Sequence, residues 1–171
     1  ESYMFKKNNV LKIYSNNIEW VNHNVEHNSP VYSGTFYIYK TSKGMVIVNR
    51  VAVDDYISKV VSSEIGGEAP MEALKAQAVC ARTYILKCSK SKYKKYNAIA
   101  DDSTSYQVYN RIGENIKTKK AAKATNGIVM TYENELINAY YFSTSCGYTT
   151  DYRIWGKEKK LYLQGTNLTK N

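Results

Sequence analysis

The run MEALKAQAVCARTYILK, which follows Pro70, constrains the fold more than any other part of this sequence. It is rich in Ala and Leu and contains no helix breaker. Because proline is favoured in the first turn of a helix, the sequence predicts a helix from Pro70 to Lys87. Small side chains recur along it, at Ala73, Ala76, Ala78 and Ala81. They allow a neighbouring element to approach closely, so this helix is predicted to be central and buried.

Alternating apolar residues predict several strands. The predicted strands are Val10–Tyr14, 32–39, 45–50, 106–109, 128–132 and 136–143. The second and third form a hairpin around Gly44, because a Gly-containing turn separates them. The last two form a hairpin over Glu133-Asn134-Glu135.

Two further helices are predicted. One covers Val53–Ile65, with acidic residues near its start to complement the exposed N–H groups and a Gly-Gly pair after its end. The other covers residues 114–125 and is closed by an Asn-Gly pair. Strands and helices do not alternate regularly, so we predict an α+β fold in a single domain over residues 1–171.

The chain is basic. It has 171 residues and a net charge of +9, much of it in the runs 87–95 and 117–123. A basic surface suits an anionic partner, although each run alone is more typical of a solvated surface. No nucleic-acid-binding motif accompanies these runs, so we expect no nucleic acid as partner.

Cysteine and histidine usage argues against a disulfide framework and a metal site. Cys80, Cys88 and Cys146 give an odd count. His23 and His27 are four residues apart but lie among Asn and Pro, and exposed loop histidines are the favoured interpretation. We expect no metal and no cofactor.

No apolar run in the sequence is long enough to span a bilayer, and no signal peptide is recognisable. The sequence begins at Glu1 rather than Met. We expect an export or anchor segment to have been removed, so that membrane contact would be made only through that segment.

Four polar side chains of the predicted central helix are candidate site residues. Lys75 and Arg82 are seven residues apart and share a face, and Gln77 and Tyr84 share a neighbouring face. Two cations on a buried helix are costly unless they are paired or face a cleft, so this side is a candidate wall of a site. Snorkelling of the same cations to solvent explains the pattern equally well.

Two other places carry candidate chemistry. Glu64 lies at the end of a predicted helix, where the negative end of the dipole favours the protonated carboxyl that a general acid needs. By pattern alone, however, an ordinary exposed glutamate is the favoured interpretation. Ser143, Thr144 and Ser145 follow a predicted strand and offer hydroxyls to a ligand. Cys146 has no histidine near it in sequence, which favours a packing residue over a nucleophile.

Several motifs occur in a fixed order along the chain. They are Ser63-Glu64-Ile65, Pro70, EALKAQAVCARTY from Glu72 to Tyr84, Gln107-Val108-Tyr109, FSTSCG from Phe142 to Gly147, and Ile154-Trp155-Gly156. Together they resemble the signature of the stage II sporulation protein D family, which includes amidase-enhancer relatives. The resemblance covers about residues 32–163.

The resemblance implies a lytic transglycosylase that cuts peptidoglycan strands, preferably those stripped of stem peptides, with Glu64 as the catalytic residue. Protonated Glu64 would donate to the glycosidic oxygen between MurNAc and GlcNAc. As a carboxylate it would then take the proton of the MurNAc C6 hydroxyl, which closes a 1,6-anhydro ring. One carboxylate suffices because the substrate supplies the nucleophile. If water attacks instead, the candidate second carboxylates are Glu68, Asp101 and Asp102.

The resemblance also implies which residues surround Glu64. Expected substrate contacts are Lys75, Gln77, Arg82, Tyr84, Gln107, Ser143, Thr144 and Ser145. The four on the helix are alternatively expected to tune Glu64. The Ala-rich helix is expected to pack with β-hairpins and two further helices around a substrate groove. Denuded glycan strands keep lactyl carboxylates, so they are an anionic partner that suits the net charge.

The sequence departs from the family pattern in three places. Phe142 stands where many members have His. Some relatives carry a Cys…His-Cys metal cluster before the Gln-Val-Tyr motif, but this sequence has Asp101, Ser105 and Tyr106 there, so no structural zinc is predicted. Members commonly extend well past the Trp-Gly motif, whereas this sequence stops at Asn171, so part of the usual fold is expected to be missing.

A second function stays open, namely a non-catalytic module that binds glycan and stimulates a separate cell-wall amidase. Phe142 and the early end favour this module, whereas Glu64 and the intact Lys-Ala-Gln helix favour the enzyme. A nucleic-acid binder rests on charge alone and is disfavoured. Either cell-wall function implies an extracytoplasmic location, in the wall or on the outer face of the membrane.

Overall fold

A computed structural model describes residues 10–14, 18–19, 31–88, 92–109, 115–156 and 158–169. Its strands are β1 (Val10–Tyr14), β2 (Ile18–Glu19), β3 (Val31–Tyr32), β4 (Thr35–Thr41), β5 (Gly44–Arg50), β6 (Thr131–Tyr132) and β7 (Glu135–Leu136). Its helices are α1 (Val53–Ile65), α2 (Met71–Lys87) and α3 (Ile116–Ala124), with 3₁₀ helices at Lys94–Tyr96 and Tyr152–Ile154. The fold is α+β, as predicted.

The larger sheet is antiparallel, with strand order β1-β4-β5. Strands β4 and β5 form the predicted hairpin, and Gly44 follows the turn with a φ of 128° that favours glycine. The predicted first strand of this hairpin is interrupted at Gly34, where φ is 91° and a Cβ would collide with the Arg50 carbonyl. The chain bends there, so β3 pairs with β2 instead of continuing into β4.

The Ala-rich helix α2 packs against both α1 and α3, and these two also pack against each other, so it is one of three mutually packed helices. Pro70 occupies the N-cap position, just before the first turn. Ala78 and Ala81 are fully buried, whereas Ala73 and Ala76 are exposed. The core between the helices contains Ile57, Val60, Val61, Leu74, Ala78, Ala81, Ala121 and Ala122. Each fully buried Leu, Ile or Val there contributes about 1.5–3 kcal/mol of hydrophobic stabilisation.

The third predicted helix is shorter than expected. It covers Ile116–Ala124, and the Asn115 side chain caps it by accepting the N–H of Lys117 at 2.8 Å. Residue 114, where the helix was predicted to begin, lies outside the described residues. The Asn-Gly pair follows Thr125, the C-cap residue.

The last three predicted strands differ from the structure. Residues 106–109 form no strand, and the N–H of Val108 bonds to a side chain instead of a neighbouring strand. The hairpin predicted within 128–143 is confirmed only around its turn, where β6 and β7 have two residues each. Glu133 and Asn134 have φ values of 50° and 64°, which fit a two-residue type I′ turn.

Of the helices that the structure describes, none is both long and apolar enough to cross a membrane. Within the same described ranges, His, Cys, Asp and Glu side chains do not gather in groups of three that could hold a metal ion. His23 and His27 lie outside the described residues. Cys80, Cys88 and Cys146 are free thiols.

Candidate active site

A surface cavity of about 280 Å³ contains the candidate catalytic glutamate. Its lining residues come from the last turns of α1 and α2 and from two segments outside the helices and strands. They are Glu64, Tyr84, Thr104, Ser105, Tyr106, Val108, Tyr140 and Tyr141. Four of these are tyrosines, which combine an apolar ring with a hydroxyl. The cavity can therefore bind a ligand that presents both C–H and O–H groups.

Glu64 supplies the carboxylate of this cavity. It lies in the last turn of α1, which ends where Gly66 adopts a φ of 74°. Its side chain is half-buried, and Oε1 accepts a 2.8 Å hydrogen bond from the backbone N–H of Val108. A backbone donor on one oxygen fixes the direction in which the carboxyl group points and stabilises its ionised form.

A buried glutamine lies behind Glu64. Gln107 is 1% exposed, and its Oε1 accepts a hydrogen bond from the Tyr56 hydroxyl at 3.1 Å. Its Nε2 donates to the carbonyl of Ala81 at 3.3 Å and to the hydroxyl oxygen of Tyr141 at 3.2 Å. The Tyr141 hydroxyl also faces the carboxylate of Glu64, which raises the pKa of that hydroxyl. Because this hydroxyl accepts from Gln107, its own proton is available for Glu64.

The two tyrosines bonded to Gln107 keep their protons. Burial raises the pKa of Tyr141 above its ordinary value; the hydrogen bond from Gln107 lowers it, and the Glu64 carboxylate raises it. Burial is also the largest cause of the raised pKa of Tyr56, with a smaller contribution from Tyr141. Both hydroxyls are therefore neutral at neutral pH.

Aromatic rings continue outward from the cavity. The ring of Tyr84 meets that of Tyr140 at 6.3 Å and 62°, and Tyr140 stacks on Tyr152 at 5.9 Å and 12°. Burial, followed by the interaction with Cys88, raises the pKa of Tyr84. Its hydroxyl is thus neutral as well. The three rings form a continuous aromatic row that begins at the cavity and reaches the 3₁₀ helix at Tyr152–Ile154.

A sequence model of the stage II sporulation protein (SpoIID) family matches residues 41–132, which is more than half of the chain. The chain belongs to this family. The matched range includes Glu64, Gln107 and all three helices, whereas Tyr140 and Tyr141 lie beyond it.

Relatives of this SpoIID family chain include stage II sporulation protein D of Bacillus amyloliquefaciens, which is 34% identical over 143 residues. That alignment covers 74% of this chain and 41% of the relative. An uncharacterized protein of Brachyspira hyodysenteriae is 36% identical over 121 residues, or 70% of this chain and 33% of its own length. The amidase enhancer of Bacillus subtilis is 39% identical over 90 residues, which are 53% of this chain and 12% of the enhancer. The chain thus spans less than half of each of these relatives.

The structure brings together three of the site residues predicted in this SpoIID member. Glu64 and Tyr84 line the cavity, and Gln107 lies directly behind it. Gln107, predicted to contact substrate, is buried, and its amide is bonded to Tyr56, Ala81 and Tyr141, so its observed contacts serve to orient Tyr141. The hydroxyl residues of the later motif, Ser143, Thr144 and Ser145, are exposed and do not line the cavity.

Lys75 and Gln77 also lie outside the cavity lining. The Nζ of Lys75 is 2.6 Å from Oε1 of Glu72, one turn earlier on the surface of α2. This pairing is one of the two ways in which a cation on the central helix was expected to be tolerated. Gln77 is half-buried, and its Nε2 is enclosed without a hydrogen-bond partner among the described residues.

Arg82 is enclosed by the helices rather than directed into the cavity. Its side chain is 2% exposed, and Nη2 donates to Asp54 Oδ1 and to the Ala122 carbonyl, each at 3.1 Å. Nη1 donates to Thr125 Oγ1 at 3.4 Å and to the Ile128 carbonyl at 3.3 Å. Arg82 therefore ties α2 to the start of α1 and the end of α3. A substrate contact would require it to leave this position.

Sequence reasoning missed several residues of the site. The N–H of Val108 is a backbone group and carries no side-chain signal, although its neighbour Gln107 was identified. Tyr141 precedes Phe142, the residue that drew attention as a departure from the family pattern. Phe142 itself is 60% exposed and does not line the cavity. The hydroxyl residues Thr104 and Ser105 belong to the polar run from Asp101 to Ser105, which carries no motif in the sequence.

Proposed function

We propose that this chain is a lytic transglycosylase that cleaves MurNAc–GlcNAc bonds of denuded peptidoglycan strands. One observation carries the proposal: the carboxyl group of Glu64 lies in a tyrosine-lined cavity, oriented by the N–H of Val108 and faced by the hydroxyl of Tyr141. Among the described residues that line this cavity, Glu64 is the one carboxylate. The SpoIID relatives support a role at the cell wall during sporulation.

In the proposed reaction Glu64 acts first as an acid and then as a base. Its proton passes to the glycosidic oxygen while the bond from that oxygen to C1 of MurNAc breaks. The MurNAc C6 oxygen then forms a bond to C1, and the carboxylate of Glu64 takes the C6 hydroxyl proton. The enzyme returns to its starting protonation state, and no water is consumed. The product end carries a 1,6-anhydro ring.

The neighbours of Glu64 suit both halves of this cycle. The N–H of Val108 stabilises the carboxylate that remains after the first proton transfer. The Tyr141 hydroxyl, which Gln107 keeps in place, faces the same carboxylate and is available as a second donor. These donors are already oriented before reaction, so little reorganisation is needed as charge develops on Glu64.

A mechanism with a single carboxylate fits the surroundings of the other acidic candidates. The side chain of Glu68 is 92% exposed and lies 3.7 Å from Lys117. Asp101 is bonded to Tyr93 and Ser103. Hydrolysis by water usually needs two facing carboxylates about 5–9.5 Å apart. None of Glu68, Asp101 and the exposed Asp102 lines the cavity with Glu64, which favours the intramolecular attack of the C6 hydroxyl.

The test uses glycan strands from which the stem peptides have been removed, with mass spectrometry of the products. Wild type should release fragments with anhydro-MurNAc ends, each lighter than a hydrolysed end by one water molecule. Glu64→Gln keeps the acceptor for Val108 but has no transferable proton, so the rate should fall by about 10²–10⁴-fold. Glu72→Gln is the matched control, because Glu72 is exposed at the opposite end of α2 from Tyr84.

Two results would count against this function. If Glu64→Gln releases as many anhydro ends as wild type, Glu64 is not the acid. If wild type yields hydrolysed ends without the anhydro ring, water is the nucleophile and a second carboxylate must take part.

A second candidate function is a glycan-binding module that enhances a separate cell-wall amidase. The similarity to the amidase enhancer of Bacillus subtilis favours it, as does the exposed Phe142 at a position where a histidine was expected. For this function, wild type would bind denuded glycan without cutting it and would raise the rate of an added amidase. Both candidates have peptidoglycan as partner and an extracytoplasmic location.

A further inference from the structure

The residues 104–106 line the cavity without support from a helix or a strand. They follow the 3₁₀ helix Lys94–Tyr96, and Thr104 and Ser105 are exposed. A segment of this kind keeps one shape only if local hydrogen bonds hold it. The source of its shape therefore matters for what the cavity can bind.

Asp101 is bonded to two residues next to this segment. Its Oδ1 accepts hydrogen bonds from the N–H of Ser103 at 3.0 Å and from the Ser103 hydroxyl at 2.5 Å. Its Oδ2 accepts from the Tyr93 hydroxyl at 2.5 Å, and Lys92 Nζ lies 3.7 Å away. We call Tyr93, Asp101 and Ser103 the Asp101 cluster. The bonds from Ser103 and then Tyr93 hold the pKa of Asp101 below its ordinary range, so the carboxylate is ionised at neutral pH.

The Asp101 cluster is connected directly to the cavity wall. The hydroxyl of Ser103 accepts the N–H of Ser105 at 3.2 Å, and its carbonyl accepts the N–H of Tyr106 at 3.0 Å. The ring of Tyr93 lies against that of Tyr106, with centroids 6.3 Å apart. Both residues bonded to Asp101 therefore contact residues that line the cavity.

We propose that Asp101 is a positioning residue, which holds residues 103–106 in the shape in which the cavity binds a sugar ring of the glycan. Asp101 itself does not line the cavity. The exposed hydroxyls of Thr104 and Ser105 supply hydrogen bonds to sugar hydroxyl or acetamido groups, and the ring of Tyr106 supplies an apolar contact. The inference rests on the proposed glycan substrate, but it concerns binding rather than the proton transfers at Glu64.

The alternative is that Asp101 merely closes a surface turn. A turn of that kind would affect stability and leave glycan affinity unchanged. A positioning role makes the opposite prediction: affinity falls while the rest of the fold is unaffected. Affinity and stability must therefore be measured on the same variants.

The experiment measures binding of a peptide-free GlcNAc–MurNAc tetrasaccharide by calorimetry, in a Glu64→Gln background so that no cleavage occurs. Asp101→Asn keeps the shape of the side chain but replaces one charged acceptor by a donor. It should raise the Kd by roughly five- to tenfold, which is the effect of one or two lost hydrogen bonds. Asp102→Asn is the matched control, since it is the same substitution at the exposed next residue, and it should stay within about twofold. The urea midpoint of Asp101→Asn should fall only slightly, because the hydrogen bonds of Asp101 lie near the surface, and that of Asp102→Asn should not change.

Ser103→Ala tests the same cluster from the other side and serves if Asp101→Asn does not fold. It removes the hydroxyl that links Asp101 to Ser105 and should weaken binding to a similar extent. If both folded variants bind as tightly as the Asp102→Asn control, or if affinity and stability fall in proportion, Asp101 has no positioning role.

The outcomes for binding and for cleavage can be told apart. If wild type cuts glycan and Glu64→Gln does not, yet Asp101→Asn binds normally, the proposed function stands and the role of Asp101 is refuted. If wild type cuts nothing while Asp101→Asn weakens binding, the cleavage proposal fails and the role of Asp101 stands. If the Glu64→Gln protein does not bind the tetrasaccharide at all, the glycan substrate and the role of Asp101 are both refuted.

Discussion

Replacement of Arg82 by Met tests whether this arginine serves the fold or the substrate. Methionine has a similar length and can fill much of the same space, but it makes none of the four hydrogen bonds of the guanidinium group. If Arg82 stabilises the fold, as its contacts indicate, the free energy of unfolding should fall and the cavity should be affected only indirectly. If Arg82 contacts substrate, as the sequence predicts, glycan affinity should fall instead.

The size of the stability loss follows from the contacts. Hydrogen bonds from a charged group contribute about 1.5–3 kcal/mol each, so the two 3.1 Å bonds together bring about 3–6 kcal/mol. The side chain of Asp54 is 38% exposed, so hydration of its carboxylate offsets part of the loss of the bond from Arg82. The Nε of Arg82 is buried without a partner among the described residues, which subtracts about 1–2 kcal/mol. With small contributions from the two longer bonds, Arg82→Met should lower the free energy of unfolding by about 3 kcal/mol.

The assay is equilibrium unfolding in urea, followed by circular dichroism. A loss of about 3 kcal/mol corresponds to a fall of about 6–12 °C in Tm for a domain of this size. Lys75→Met is the matched control, because it is the same type of replacement on the same helix. Its cation pairs with a glutamate that is 82% exposed, so the expected change is within about 0.5 kcal/mol. An Arg82→Met protein as stable as this control, but with weakened glycan binding, would refute the structural assignment.

Two further predictions concern the site and the fold. Tyr141→Phe removes the hydroxyl that faces Glu64 and keeps the ring, so turnover of denuded glycan should fall about tenfold. Turnover equal to that of wild type would show that the hydroxyl does not act on Glu64. Gly67→Ala would place a Cβ inside the side chain of Asn115, the N-cap of α3, so urea unfolding should show a loss of about 1 kcal/mol. In the Gly67→Ala protein, the further substitution Asn115→Ala should lower the free energy of unfolding only slightly. If the losses from the two substitutions add fully, Gly67 does not act through Asn115.

The helices next to the site could be predicted closely because their signals are local. The bounds predicted for α1 agree with the structure, since acidic residues stand in its first turn and Gly66 leaves the helical conformation after its last. Helix α2 has no residue that interrupts it between Pro70 and Lys87. Such signals depend on neighbours a few residues apart, and the rest of the molecule does not alter them.

The segment at 106–109 shows why the site itself could not be predicted in the same way. Alternating apolar residues indicate where side chains point, but not what the backbone between them will bond to. In a strand the N–H of Val108 would bond to a neighbouring carbonyl. Here its partner is the carboxylate of Glu64, 44 residues earlier in the sequence. The same hydrogen bond therefore replaces strand pairing at Val108 and orients the candidate catalytic carboxylate.

The polar face of α2 shows how one sequence pattern can divide into two structural roles. Lys75 and Arg82 share a face by their spacing, and that spacing favoured a common site. Lys75 lies in the second turn, where the exposed Glu72 is within reach and solvent is near. Arg82 lies under α3, where the Ala122 carbonyl and the Thr125 hydroxyl need donors that a planar guanidinium can supply together.

Because Arg82 is bonded to the helices and Gln107 to Tyr141, a sugar in the proposed site would be contacted by other residues. They are the tyrosines of the cavity and the hydroxyls of Thr104 and Ser105. These are neutral groups, so recognition within the cavity should depend on stacking and hydrogen bonds rather than on ion pairs. Binding of a neutral GlcNAc oligomer should then change little between low and high salt, whereas attraction of the long anionic strand to the basic surface should weaken. A cavity that bound through cations would lose affinity for short and long ligands alike.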